Sequence, residues 1–450
     1  MFAKETYIAR RAKLKQTIGS GLLLFLGNDE SGMNYADNTY HFRQDSTFLY
    51  FFGLPYAGLS AIIDIDNNRE IIFGDELTID AIVWMGTQPT LKEKSEAAGI
   101  TEVRPFKEIE TYLKNAQQKG QPIHYLPTYR AEHQIKLFQW LGVVPGAEKP
   151  SVPFIMGVVN QRNYKSEEEI AEIEKACIVT ADMHLAAMRT VRPGIRESEV
   201  AAAVAEVAYA NNYELSFPII ATINGQTLHN HDHSNLIKSG DMLLLDAGAE
   251  TEMGYAGDMS STIPADAKFT TRQREIYDIQ VAAHEAAVAA LRPGIPFVDV
   301  YELSCKVIME GLKELGFVKG DPMEAVRAGA HAMFMPCGLG HMMGLDVHDM
   351  ENLGEVYVGY DGRKSLRLGR KLEPGFVLTI EPGVYFIPEL MDLWRSQNKF
   401  TEFINYDKLF TYKDFSGIRN EEDYLITENG ARLLGKKIPV RAEEVEAIRK

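Results

Sequence analysis

The stretch MLLLDAGAETEMGYAGDMSST, Met242 to Thr262, decides how this chain is to be read. Its first residues, Met242 to Leu245, form the unbroken apolar run of a buried strand, and the run ends on a carboxylate, Asp246. Tyr255-Ala256-Gly257 then leads to a second carboxylate, Asp258, followed by the strand-like Ser260-Ser261-Thr262. Two acids therefore flank a hairpin. An isolated pair of aspartates in such a place is more often a pair of turn or cap residues. Company changes that reading. Downstream, Gly338-Leu339-Gly340-His341 sets a histidine among small residues, Thr379-Ile380-Glu381-Pro382-Gly383 sets a carboxylate after an apolar run, and Ile418-Arg419-Asn420-Glu421 adds another. Four carboxylates and one imidazole, each at the edge of an apolar segment, are the donor set for two oxygen-preferring divalent ions. Without cations these acids would repel one another and be driven toward protonation. Two dications would remove that strain and make a water between them acidic enough to act as a nucleophile.

Outward from this stretch the pattern is α/β, of the α+β kind with two domains. The first third alternates apolar runs with polar turns: Gly21 to Gly27, Leu59 to Ile65, a turn at Asp66-Asn67-Asn68, then Glu70 to Phe73. We expect an N-terminal α/β domain with a mixed sheet over residues 1–160. The stretch from Gly146 to Asn163 carries prolines and glycine without clear periodicity and reads as the junction, with the boundary near residue 160. A second domain over 161–450 opens with a long amphipathic helix. Ser166 and Glu169 stand at capping-box spacing, and Ile170, Ile173, Cys177, Ala181, Leu185 and Met188 share one helical face. Within this domain Arg192-Pro193-Gly194-Ile195 returns as Arg292-Pro293-Gly294-Ile295, each time after an alanine-rich helical pattern, and the second helix has its own cap in Thr270 and Gln273. Two related helix-and-strand halves with a cleft between them would produce such an echo.

Composition narrows the function. At 450 residues, with 45% hydrophobic and 24% charged residues, the chain is globular and long enough for two cores. The 47 basic residues are outnumbered by 63 acidic ones, for a net charge of -16, which disfavours a nucleic-acid backbone as partner. Met1 to Thr17 is basic without an apolar core of signal-peptide length, and the best apolar run, Leu22 to Leu26, is too short to span a bilayer. Cys177, Cys305 and Cys337 are too few and scattered for a disulfide framework. A cytoplasmic protein, with neither nucleic acid nor membrane as partner, is the expectation.

The blocks that carry the chemistry also carry a resemblance. Asp246 with Gly254-Tyr255-Ala256-Gly257-Asp258, then Gly340-His341 with Asp346-Val347-His348-Asp349, then Glu381-Pro382-Gly383, then Arg419-Asn420-Glu421-Glu422-Asp423 are similar in order, spacing and neighbours to the metal-ligand blocks of the pita-bread metallopeptidases. That is the family of aminopeptidase P, prolidase and methionine aminopeptidase, and the likeness runs over about residues 160 to 435. His41-Phe42-Arg43-Gln44-Asp45-Ser46 resembles a block of the N-terminal domain found in aminopeptidase P and prolidase and missing from methionine aminopeptidase. The resemblance implies a pseudo-symmetric pita-bread catalytic domain and a peptidase acting on short peptides with proline at the second position.

By the same resemblance, Asp246, Asp258, His341, Glu381 and Glu421 hold two divalent ions, with manganese the first guess and cobalt, iron or zinc as alternatives. A hydroxide between the ions attacks, and Glu381 also handles its proton. His348 contacts substrate near the scissile bond, His229 stabilises the reacting carbonyl or the proline end, and Arg419 orients an aspartate ligand. A homodimer is implied too. Ser365-Leu366-Arg367, and the long insertion from Tyr385-Phe386-Ile387 through Trp394-Arg395 to Phe415-Ser416-Gly417, resemble prolidases, where an arginine at the place of Arg367 clamps the free carboxylate of a dipeptide. Arg367 is otherwise one more member of the solvated cluster Arg363, Lys364, Arg370 and Lys371. Xaa-Pro dipeptides are thus the favoured substrate, with aminopeptidase P activity on longer peptides as the alternative. A metal-free creatinase-like enzyme or a non-catalytic binding protein of the same fold is the remote one.

Two departures stand out. Cys337 occupies a place where these peptidases usually carry a histidine that lines the substrate site, and it reads as a small buried filler rather than a nucleophile. One residue more than usual separates Asp246 from Asp258, and a loop at Glu250 to Met253 is expected to absorb it.

Overall fold

The structure, a computed structural model, describes residues 1–350 and 366–449. The chain divides into two compact units, Met1–Arg162 and Asn163–Lys450.

The first unit is built on a five-stranded sheet in the order Glu102–Arg104, Arg69–Phe73, Ser60–Asp64, Leu22–Leu26, Ile123–His124. The central pairings are antiparallel and both outer ones parallel, so the sheet is mixed, as expected. Strand Leu22–Leu26 reads as a continuous apolar run because both of its faces are covered. Leu22, Leu24, Ile62, Ile71 and Phe73 pack against Ile109, Leu113, Leu137 and Trp140 from two helices. Each such side chain contributes about 1.5–3 kcal/mol by leaving water. The His41 to Ser46 block proves to be a staple. Gln44 accepts from the backbone N–H of Asn28 at 2.7 Å and donates to the Tyr56 carbonyl at 2.8 Å, while Asp45 caps the helix Ser46–Phe52. The expected irregular junction is partly helical: Val152–Arg162 is a helix that buries Phe154, Val158 and Val159. Pro153, one of the prolines that made this stretch read as a junction, lies in the first turn, where its missing N–H costs nothing.

The second unit has two similar halves. In the first, the helices Glu167–Thr190 and Glu197–Ala210 accompany a sheet of Ile220–Thr222, Met242–Ala247 and Met259–Pro264. In the second, Thr271–Ala290 and Phe297–Glu314 accompany Val377–Ile380, Glu422–Thr427 and Gly430–Leu433. Both capping boxes read from the sequence, Ser166 with Glu169 and Thr270 with Gln273, are formed. The tetrapeptide echo is structural as well. Gly194 N–H donates to Ile237 and Ile237 N–H returns to Ile195, both at 2.9 Å; Gly294 and Ile295 exchange the same pair of bonds with Leu372, at 2.8 and 2.9 Å. Both glycines have φ near +90°, at 93° and 83°, which a side chain would oppose. The two sheets meet where Ser260 and Glu421 form a bridge, with the Glu421 N–H donating to the Ser260 carbonyl at 3.0 Å.

Candidate active site

Strand register explains how the first two acids reach one place. Met242–Ala247 runs antiparallel to Met259–Pro264 with Asp246 opposite Ser260, so their side chains share a face. Between the strands, Thr251 to Tyr255 closes a tight turn, with Gly254 N–H donating to the Thr251 carbonyl at 2.8 Å, while Glu250, expected in the loop, belongs to the short strand Ala249–Glu250. Asp258 immediately precedes its strand, and its own N–H donates to Asp423 Oδ2 at 3.0 Å. Glu421 enters from the second half and accepts from Ser260 Oγ at 2.8 Å through Oε2. Thr379 N–H donates to the His341 carbonyl at 3.0 Å and Glu381 N–H to the Leu339 carbonyl at 2.7 Å, which carries His341 and Glu381 side by side.

The donor atoms converge. Asp258, His341 and Glu421 each offer a ligand atom within 4.8 Å of the others. His341 Nδ1 lies 3.1 Å from the Met342 carbonyl, which can only accept, so Nδ1 is the donor to the backbone and Nε2 is the nitrogen turned toward the acids. That nitrogen faces Asp258 Oδ2 at 3.5 Å and Glu381 Oε1 at 3.8 Å. These separations are long for hydrogen bonds and suit donors that share a cation. Asp246 Oδ1, Asp258 Oδ1 and Glu421 Oε1 are buried and lack a hydrogen-bond partner among the described residues. Burial, and then Asp246, Asp423 and Glu381, push the Asp258 carboxyl far above the usual range; burial, and then Asp258, Glu381 and Asp246, do the same to Glu421. Burial also raises Glu381, against the pull of His341 and Arg419. Orphaned acceptors, an imidazole nitrogen turned toward them and crowded acids fit dications well and a dry protein interior badly.

A buried cation of the chain's own adjoins the acids. Arg419 is buried and spreads three donors over three partners: Nη2 to Asp246 Oδ2 at 2.6 Å, Nε to Ser260 Oγ at 2.8 Å, and Nη1 to the Tyr385 hydroxyl at 2.9 Å. Its fork fixes the Asp246 carboxylate from behind.

All nine residues singled out in the sequence, His229, Asp246, Asp258, His341, His348, Arg367, Glu381, Arg419 and Glu421, line a single cavity of about 1070 Å³. The His348 ring stands edge-on to His341 with centroids 4.2 Å apart. Desolvation, and then the neighbouring His341, Arg367 and His229, lower its pKa to about 3, so it is neutral near pH 7. Arg367 is exposed at the cavity wall, while Arg363, Lys364 and Ser365 lie outside the described residues. The insertion after Glu381 folds as two short helices, Pro388–Ser396 and Tyr406–Phe410, between the paired strands Gly383–Tyr385 and Gly417–Arg419. Cys337 lines the cavity and packs on the cluster of Ile220, Leu244 and Tyr385, and burial pushes its thiol up to about 12. A neutral thiol at that value is a poor nucleophile.

Several supporting residues escaped the sequence reading. Ser260 bridges Arg419 and Glu421, Tyr385 holds Arg419, and Asp423 accepts both from Asp258 N–H and from Cys177 Sγ at 3.1 Å. His184 sits between Ser261 Oγ at 2.9 Å and the Ala247 carbonyl at 3.2 Å, and burial lowers it to about 4. The hydroxyl run Ser260-Ser261-Thr262 on a buried strand was the available signal, since buried hydroxyls need partners.

This fold and this donor cluster define a class. The chain belongs to metallopeptidase family M24, whose model matches residues 171–428, and a model of the aminopeptidase P N-terminal domain matches residues 7–124. Among curated relatives it is 31% identical to the Xaa-Pro aminopeptidase of Escherichia coli strain K12, over 99% of this chain and 98% of that protein. It is 28% identical to the human Xaa-Pro dipeptidase, over 98% of this chain and 91% of the relative. The solved structure of proline aminopeptidase P II from Yersinia pestis superposes with a TM-score of 0.84 at 28% identity, covering 100% of this chain and 99% of that one. These relations bear out the pita-bread architecture.

Proposed function

We propose that this protein is a metal-dependent exopeptidase that hydrolyses the Xaa-Pro bond of dipeptides and short peptides, with Xaa-Pro dipeptides preferred. The observation that carries the reading is the convergence of buried carboxylate oxygens, partnerless among the described residues, and of His341 Nε2 in one cavity with His229, His348 and Arg367. Asp246, Asp258, His341, Glu381 and Glu421 would hold two divalent ions, with manganese first and cobalt, iron or zinc suited to the same donors. When bound, the ions supply Lewis acidity toward the scissile carbonyl and acidify water.

The chain's own groups do the rest. Glu381, half-buried and with its affinity for protons raised, takes the proton of the attacking water and returns it toward the leaving nitrogen. His348 and His229 hold the substrate carbonyl, and Arg419 keeps Asp246 aimed. A proline nitrogen offers no N–H, so recognition falls on the ring and on the free carboxylate. Ile220 and Leu228 give the cavity an apolar wall for the ring, and the exposed Arg367 is placed for the carboxylate.

The test is hydrolysis of Ala-Pro and of a longer Xaa-Pro peptide after chelation, with and without added manganese. Manganese-dependent cleavage with Ala-Pro preferred supports the reading, and cleavage indifferent to chelation sinks it. Preference for the longer peptide would establish the second reading, Xaa-Pro aminopeptidase, which the full-length similarity to the Escherichia coli relative favours. A homodimer in the cytoplasm belongs to the same proposal, and three free cysteines suit a reducing compartment.

A further inference from the structure

Lys165 and Asp349 form an ion pair at 2.9 Å with each side chain 1% exposed, far from each other in sequence and outside the donor cluster. Surface pairs contribute little, but a pair this deeply buried strongly constrains what it joins. Lys165 is a fixed point. It directly precedes the capping residue Ser166, and its backbone N–H donates to the Gly375 carbonyl at 2.9 Å. Asp349 ends the loop that begins at His341. Its N–H donates to the Met342 carbonyl at 2.9 Å, and its Oδ1 accepts from Met350 N–H at 2.8 Å, so the loop closes on itself one residue after His348.

A second observation falls on the same spot. A Cβ on Gly344 would stand 2.0 Å from Asp349 Oδ2 and 2.9 Å from Lys165 Cε, so the pair occupies the space that the absent side chain leaves. The Gly344 carbonyl in turn accepts from Ala256 N–H at 2.9 Å, in the segment leading to Asp258. The pair and the glycine thus lock together the loop whose Asp346, Val347 and His348 line the cavity.

We infer that Lys165 is a positioning residue for His348, acting through its buried ion pair with Asp349. The inference rests on the proposed peptidase reading for its consequence, because His348 serves the reaction there. The edge-on contact between His348 and His341 depends on where the loop backbone puts the ring, and Asp349 is the adjoining residue that Lys165 holds. Releasing Asp349 lets the His348 ring leave His341.

The test uses full-length protein labelled with carbon-13 at histidine Cε1, metal-free and zinc-loaded, with the His348 line assigned by its loss in His348→Gln. In Lys165→Met the His348 line moves, the lines of the buried His133 and His331 stay, and Lys165→Arg restores the parent spectrum. The double variant Lys165→Met with Asp349→Asn leaves no uncompensated charge, and it gives the same result where the single variant folds poorly. On Ala-Pro with manganese, Lys165→Met lowers kcat/KM by about 10–100-fold, the usual range for a residue that supports a working group, and by less than about threefold in a His348→Ala background. An unmoved His348 line, equal losses in both backgrounds, or failure of both Lys165 variants to fold overturns the inference. Absence of peptide hydrolysis in the parent counts against the proposed function alone, because the spectrum still decides about Lys165.

Discussion

Asp64 in the first unit and Asp258 in the second are both buried aspartates at strand ends, and they live under opposite conditions. Burial pulls Asp64 upward, yet Tyr112 at 2.7 Å, Asn67 Nδ2 and Gln121 Nε2 at 2.8 Å, and the Asn67 N–H at 3.2 Å hold its carboxyl below the usual value. Asp258 is surrounded by further acids, and one of its oxygens has no donor among the described residues. A structural acid is fully served by its neighbours, whereas an acid kept for a ligand is left wanting one.

The sharpest way to break this comparison is to neutralise each acid. Asp258→Asn or Glu421→Gln should lower manganese-dependent Ala-Pro hydrolysis by more than about 100-fold, beyond what loss of a merely supporting group produces, whereas Asp64→Asn should leave kcat/KM within about twofold. Steady-state kinetics at saturating manganese reads both. Arg419→Lys should cost about 10–100-fold, because a single ammonium cannot serve Asp246, Ser260 and Tyr385 along three directions; rescue by lysine would remove the fork from the explanation.

Stability should divide the two acids as well. Manganese at 100 times its dissociation constant should stabilise the parent by about 2.7 kcal/mol for each ion bound in urea unfolding and do far less for Asp258→Asn. In metal-free protein, Asp64→Asn should destabilise by about 1.5–3 kcal/mol through its lost charged hydrogen bonds, and Asp258→Asn should stabilise, since it removes charge repulsion. Equal signs would mean that Asp258 is a structural acid after all. The smallest effect lies in pH. With its folded pKa below the unfolded 3.8, Asp64 contributes stability that is present above about pH 4 and is lost as pH falls through the folded value. Acid unfolding of Asp64→Asn should therefore be shallower than that of the parent.

Much of this was legible in the sequence because local signals and global placement agree. The run Met242 to Leu245 before Asp246 and the capping residues Ser166 and Thr270 each declare their element within a few residues. The repeated Arg-Pro-Gly-Ile turn declared the two halves for the same reason, since each copy fixes one glycine in a left-handed turn. What stayed hidden depends on partners far along the chain. Asp423 matters because the Asp258 N–H finds it, and Lys165 because Asp349 does, and neither pairing leaves a local pattern. The helix Val152–Arg162 was obscured by Pro153, which breaks helices in their interior and tolerates their first turn.

The central claim is that five side chains distant in sequence hold two cations that the reaction requires. Its most direct test is a manganese titration of chelated protein, counting ions bound per chain while hydrolysis of Ala-Pro is followed at each point. Activity that rises with binding and levels off at two ions per chain, with both lost in Asp258→Asn, is the expected result. Full activity with no ion bound, or tight binding of manganese that Asp258→Asn leaves untouched, would contradict it.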